Sequence, residues 1–214
     1  MEVFFVGLKN APFLQSVLGE YGIKSFTMLG WNIDGLNIDE FAGFEDKAIR
    51  LAKFKIFTAA AEVLRKSNMS NVPAGPKLYI GFHTIASFQN EELNCVRTQE
   101  ELSQMLKRLR NHSYSYYAAI SVGVTDENGQ MKKIQRKCLI VYPTIANMSD
   151  DEIYKFVKNI SDEKIFDCSF NYRPLTSEIK DVVEGVEVEG SVFTNALKVI
   201  IREIFAEIGV NYCP

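Results

Sequence analysis

The chain has 214 residues, 47% of them hydrophobic and 12% aromatic, which is enough apolar material to bury a full core and fits one domain, 1–214, better than two small ones. Acidic and basic residues are interspersed, 27 against 24, with a pI near 5.6, so the chain offers no field to hold nucleic acid by counterion release. Cys95, Cys138, Cys168 and Cys213 form no Cys-x-x-Cys pair, and no apolar run approaches the ~20 residues that cross a bilayer. Reduced thiols, a cytoplasmic setting and no membrane partner are expected.

In chain order, Val3–Gly7 reads as a buried first strand, because β-branched and aromatic residues run together and stop at a glycine. Phe13, Leu14, Val17 and Leu18 recur at helical spacing from Ala11 to Tyr21, and Gly22 is a natural stop. Lys24–Leu29 reads as a second strand. The stretch from Gly30 to Gly43 reads as a loop carrying Asp34, Asp39 and Glu40, a place where acidic function could sit.

From Glu45 to Ser67 the positions Ala48, Leu51, Ala52, Lys55, Ile56, Ala59, Ala60, Val63 and Leu64 define one face of a long helix, and Lys55 is its polar intruder. Asn71–Pro76 breaks that helix. Lys77–Gly81 reads as a short strand, with His83 and Thr84 at its carboxyl end.

Thr98-Gln-Glu-Glu101 and Ser149-Asp-Asp-Glu152 both have the capping-box form, in which a hydroxyl and a carboxylate satisfy the first free N–H groups of a helix. Between them, Tyr114–Val124 and Lys132–Tyr142 read as an antiparallel pair around Asn128-Gly129, a step suited to positive φ. Val182, Val186 and Val188 hint at one more strand. Phe193, Leu197, Ile200, Ile201, Ile204 and Ile208 mark a last helix that closes at Gly209.

Strands alternate with helices in the first half and a hairpin enters the second, so the expected class is α/β, a mixed central sheet flanked by helices. Ligands in such sheets sit beyond the carboxyl ends of parallel strands, here Leu8–Pro12 and Phe82–Ala86.

The segments Ala48-Ile-Arg-Leu-Ala-Lys-Phe-Lys55, Tyr79-Ile-Gly-Phe-His-Thr84, Leu102–Val122 and Ser149-Asp-Asp-Glu-Ile-Tyr-Lys-Phe-Val157 resemble, in order and spacing, those of the Maf family of nucleotide pyrophosphatases. The nearest stretch is Glu101-Leu-Ser-Gln-Met-Leu-Lys-Arg-Leu109, similar to the family's Glu-Ala-x-x-Met-Leu-x-x-Leu helix. The resemblance implies an inosine-triphosphatase-like fold, a homodimer, Mg2+ or Mn2+, and cleavage of a nucleoside triphosphate to monophosphate and pyrophosphate.

Mapped onto this chain, the family's Ser-x-Ser-Pro-Arg-Arg becomes Lys9-Asn10-Ala11-Pro12-Phe13-Leu14, which keeps the proline and loses both hydroxyls and both arginines. The Asp-x-Asp-Glu loop becomes Asn32-Ile33-Asp34-Gly35, and the Gly-Ala-Asp-Thr element becomes Gly81-Phe82-His83-Thr84. Cys95 and Cys168 stand where the family has lysines, Asp167 and Tyr172 match, and Lys55 matches a phosphate-facing cation.

The resemblance therefore implies Lys9, Asn10, Lys55 and Thr84 as substrate ligands, Asp34 as metal ligand, and Asp34 with His83 as catalytic groups in a degenerate site. Glu91 and Glu92 are further metal candidates. Each has a plain alternative: solvated loop charges for the carboxylates, a hydrogen-bonded structural histidine for His83, and a surface lysine for Lys55. Tyr114 and Tyr116, sharing one face, serve packing, a dimer contact or base stacking. The function is a Maf-like pyrophosphatase with impaired or rebuilt catalysis, or a non-catalytic nucleotide-binding or scaffold relative.

Overall fold

A computed structural model describes residues 2–7, 18–23, 25–29, 41–70, 75–161, 183–184 and 192–210. Two compact units are interleaved along the chain: the first is Met1–His83, Ala118–Leu139 and Ala196–Pro214, the second Thr84–Tyr117 and Ile140–Asn195. The strands are β1 (Glu2–Val6), β2 (Thr27–Leu29), β3 (Lys77–Phe88), β4 (Glu91–Glu92), β5 (Ser115–Thr125), β6 (Met131–Val141), β7 (Thr144–Ile145) and β8 (Val183–Glu184). The helices are α1 (Phe44–Ser70), α2 (Gln99–Leu109), α3 (Asp150–Lys158) and α4 (Val192–Ile208).

One sheet runs in the order β2-β1-β3-β5-β6, with β4 paired to β3, and β7 pairs with β8 separately. β1 is parallel to both β2 and β3, whereas β4 is antiparallel to β3, so the sheet is mixed as expected. Both faces of β1 are covered, since Val3 and Phe5 on one side and Val6 on the other are all buried. The molecule is an α/β protein.

In the first unit, α1 presents Ala48, Leu51, Ala52, Lys55, Ile56, Ala59 and Ala60 as a buried stripe, the face its periodicity foretells. Small residues along the stripe let the helix approach the sheet closely. Ile56, Ala59 and Ala60 pack with Val6 and Tyr79, and Phe4 stacks on Tyr79 at 5.2 Å between ring centres. At Gly81 the approach reaches the backbone: a Cβ there would overlap the Ala52 carbonyl oxygen and lie 2.8 Å from Ile56 Cγ2.

The helical turn at 18–20 ends with Tyr21 N–H and Ile23 N–H donating to the Leu18 carbonyl, and Gly22 takes φ +69° as its stop requires. The rest of the helix expected from Ala11, and the loop expected from Gly30, lie outside the described residues except at their carboxyl ends. Helix α4 buries Leu197, Ile201, Ile204, Phe205 and Ile208, closes at Gly209 (φ +80°), and is tied to Glu20 through both guanidinium arms of Arg202. Lys133 of β6 donates to the Ile208 carbonyl, a cation at a helix C-terminus.

In the second unit, both predicted N-caps form. Ser149 and Glu152 complete a reciprocal box at α3, but at α2 only half of it closes: Thr98 Oγ1 accepts from Glu101 N–H, while the Glu101 carboxylate accepts from Arg97 N–H, one residue before the cap. Arg110 and Lys107 both pair with Asp150, joining the two helices. Of the strand hinted at by three valines, β8 begins at Val183; Val182, Val186 and Val188 lie outside the described residues.

Two expectations are corrected. β3 does not end at Gly81: it continues to Phe88, because a two-residue turn at Gln89-Asn90, with φ of +53° and +63°, folds it into a hairpin with β4. Phe82–Ala86 is therefore strand and not a loop. At the β5–β6 turn, by contrast, Gly129 alone takes positive φ, and the Asp126 carboxylate accepts from the N–H groups of Asn128 and Gln130, making a wider turn than the expected Asn-Gly pair.

Gly81→Ala is expected to lower stability by about 2 to 3 kcal/mol, since the colliding atom is helix backbone that cannot rotate away. Urea denaturation measures this; a variant as stable as the parent would show that α1 is not held against β3 at that point.

Candidate functional site

The tip of the parallel segment of the sheet is where the candidate site forms. β1 pairs with β3 only as far as Val6 opposite Gly81, so Phe82 and His83 extend past the last residue of their neighbour. Strand alternation puts Tyr79, Gly81 and His83 on one face, the face on which α1 lies. Lys55, one helical turn beyond Leu51, points its amine at this tip and donates to the Phe82 carbonyl at 2.9 Å.

Lys55 is 8% exposed, which removes the surface-lysine reading. Burial disfavours its charged form and pushes its pKa down to about 8. Among the described residues the Phe82 carbonyl is its one hydrogen-bond partner and no carboxylate pairs with it. A buried ammonium held by a single neutral carbonyl is incompletely compensated, because each charge removed from water costs several kcal/mol unless paired. The arrangement suits an anion.

His83 shares this corner. Burial, then the positive charges of Lys55 and Lys47, push its pKa down to about 3, so the imidazole is neutral throughout the ordinary pH range. It can donate and accept hydrogen bonds, but a group that holds a proton only near pH 3 is a weak general base. Lys47 lies two turns before Lys55 on the same side of α1, its amine 5.7 Å from the centre of the Phe41 ring.

Three of the groups around His83 are thus set by α1 and β3 alone. Thr84 follows on the opposite face of β3 and belongs to the second unit. Lys9, Asn10, Asp34, Asp39, Glu40, Asp167, Cys168 and Tyr172 lie outside the described residues. Glu91 and Glu92 form β4 in the second unit, where Glu91 pairs with Arg108 and Glu92 lines a hollow of about 350 Å3 with Cys95, Val96 and Arg108. Tyr114 and Tyr116 are buried, as packing requires, so neither ring is open to stack on a base. Lys47 is the contributor that periodicity could have shown and motif matching did not: it stands eight residues before Lys55, on the same helical face.

A divalent metal, which the family resemblance implies, does not fit the described donor set. Magnesium takes hard oxygen ligands in a near-octahedral shell, and the aspartate position of the motif holds a neutral imidazole pressed by two ammonium groups. Among the described residues no three His, Cys, Asp or Glu side chains converge as metal ligands.

Fold and site together define an α/β protein with a cationic corner at the end of a parallel strand pair. No protein-family model matches the sequence, and no curated protein does. Among solved structures the chain is similar to the HAM1 protein from Coxiella burnetii, at 12% identity over 95% of this chain and 100% of that one, with a TM-score of 0.36. A likeness that low carries no weight for the chemistry. No described helix is long and apolar enough to cross a membrane.

The folded chain holds His83 neutral down to about pH 3, whereas the unfolded chain protonates it near 6.5. Between those values the unfolded state binds more protons, so this residue's contribution to stability is full above pH 6.5 and is lost as pH falls toward 3. His83→Gln should therefore lose less stability than the parent between pH 7 and pH 4 when urea midpoints are compared. Equal losses in the two proteins would mean that His83 is solvated in the folded state.

Proposed function

We propose that this chain is a divergent relative of the Maf nucleotide pyrophosphatases that binds a nucleoside triphosphate at the α1–β3 corner of its first unit, with catalysis impaired. The observation that carries this reading is Lys55. The collinear motifs make it the one phosphate-facing cation retained, and the structure puts its buried amine at a strand tip without a carboxylate partner among the described residues.

A phosphate oxygen bound there would give the ammonium the counter-charge it lacks and raise its pKa again. Charge-assisted hydrogen bonds of this kind contribute about 1.5 to 3 kcal/mol, or roughly ten- to a hundredfold in affinity. Transition-state stabilisation is a different requirement. Each oriented donor to a phosphoryl transition state contributes about 2.7 to 4 kcal/mol, and two arginines, two hydroxyls and a glutamate of the motif have no counterpart at their positions here. Binding outlives turnover under that subtraction.

A second reading, a scaffold or sensor that never hydrolyses its ligand, draws on His83, whose imidazole at the motif's aspartate position is a weak base. A cytoplasmic homodimer belongs to the proposal on the strength of the resemblance alone.

A nucleoside-triphosphate panel with Mg2+, Mn2+ or EDTA tests both readings through thermal shift and pyrophosphate release. Nucleotides are expected to raise Tm while pyrophosphate release stays near background. Lys55→Met should abolish the shift yet leave the ligand-free Tm within a few degrees, since a buried unpaired amine exchanged for an apolar chain of similar size is close to neutral for folding. Neither shift nor turnover with any nucleotide would end the proposal, and robust turnover by Lys55→Met would remove this corner from the chemistry.

The same lysine gives a pH signature. Its pKa of about 8 in the free protein must rise when an anion binds, so binding takes up a proton above that pH. Affinity should fall by about tenfold per pH unit above pH 8 and stay flat from 6.5 to 7.5. Titration calorimetry in two buffers of different ionisation enthalpy reads the proton directly; a flat profile up to pH 10 would exclude Lys55 from the contact.

A further inference from the structure

The reading just given leaves open what form of the phosphate chain the corner takes, and the charges on the page answer it. Lys47 and Lys55 lie on one side of α1, two turns apart, and both press on His83, whose other perturbation is burial. No negative group contributes to its environment among the described residues. In a metal-dependent site carboxylates hold the cation and the cation then receives the phosphates. Here the two ammonium groups occupy that role themselves.

Resting on the proposed nucleotide site, we infer that the corner binds the polyphosphate as the metal-free anion, and that Mg2+ weakens binding by withdrawing the ligand. A magnesium-bound triphosphate brings two positive charges toward Lys47 and Lys55. The metal would find a neutral imidazole in place of a carboxylate, and Gly35 in place of a glutamate. The free anion instead brings oxygens that accept from the Lys55 ammonium, from Lys47 and from the His83 ring N–H. Phe41, whose ring flanks Lys47, limits how far that amine strays from the corner.

Titration calorimetry on the intact chain, with ATP and with inorganic tripolyphosphate, each in EDTA and in excess MgCl2, tests this. Affinity in EDTA is expected to exceed that in MgCl2 by tenfold or more, and Lys47→Ala and Lys55→Met should each weaken binding in EDTA by about tenfold. Tighter or equal binding in MgCl2 overturns the metal-free site but leaves the nucleotide reading standing. Absence of binding by either ligand in both media overturns the nucleotide reading itself. Should Lys55→Met fail to fold by far-ultraviolet circular dichroism, Lys47→Ala, a change at a half-buried position, decides the matter.

Discussion

Much of the first unit follows from how closely α1 lies on β3. A helix can touch strand backbone only where both partners are small, and Gly81 opposite the Ala52 carbonyl meets that condition, flanked by Ala48, Ala59 and Ala60 along the same stripe. One turn further, the stripe reaches Lys55, whose chain has the length to arrive at the Phe82 carbonyl. A larger residue at position 81 would lift the helix and withdraw the amine from the strand tip. The packing contact and the functional candidate are one geometric fact seen at two residues.

The electrostatics of the corner run in one direction. Burial makes the Lys55 ammonium costly, and the same burial with two nearby ammonium groups keeps His83 uncharged, so the local field is positive and the local base is weak. Such a field attracts and orients an anion. It does little to activate a water molecule, which needs either a stronger proton acceptor or a metal. Binding and turnover therefore make separate demands, and this site answers the first.

The elements whose signal is local were legible from residues alone. The stripe of α1, both helix caps and the stops at Gly22 and Gly209 depend on neighbours a few positions away, and each formed. β3 was cut short because Phe82–Ala86 carries a glycine, a histidine and a threonine near its start, yet its length is set by pairing with β4 through a Gln-Asn turn that composition does not announce. The Asn-Gly step, the stronger turn signal, was overridden by an aspartate that binds two backbone N–H groups. Lys55 stood out as a polar residue on an apolar face; its unpaired state did not, since that depends on which side chains β3 brings to it.

The interleaving of the two units carries a consequence for synthesis. All segments of the second unit precede residue 196, so a nascent chain can gather them before its last helix is made. The first unit cannot be completed so early: it lacks α4, whose Leu197, Ile201, Ile204 and Phe205 are core residues, until the final stretch leaves the ribosome. For most of translation the apolar stripe of α1 and the strands beneath it are without that cover. The oldest part of the polypeptide is thus the last to be sealed, and closure joins residues nearly two hundred positions apart, as the Glu20–Arg202 pair shows.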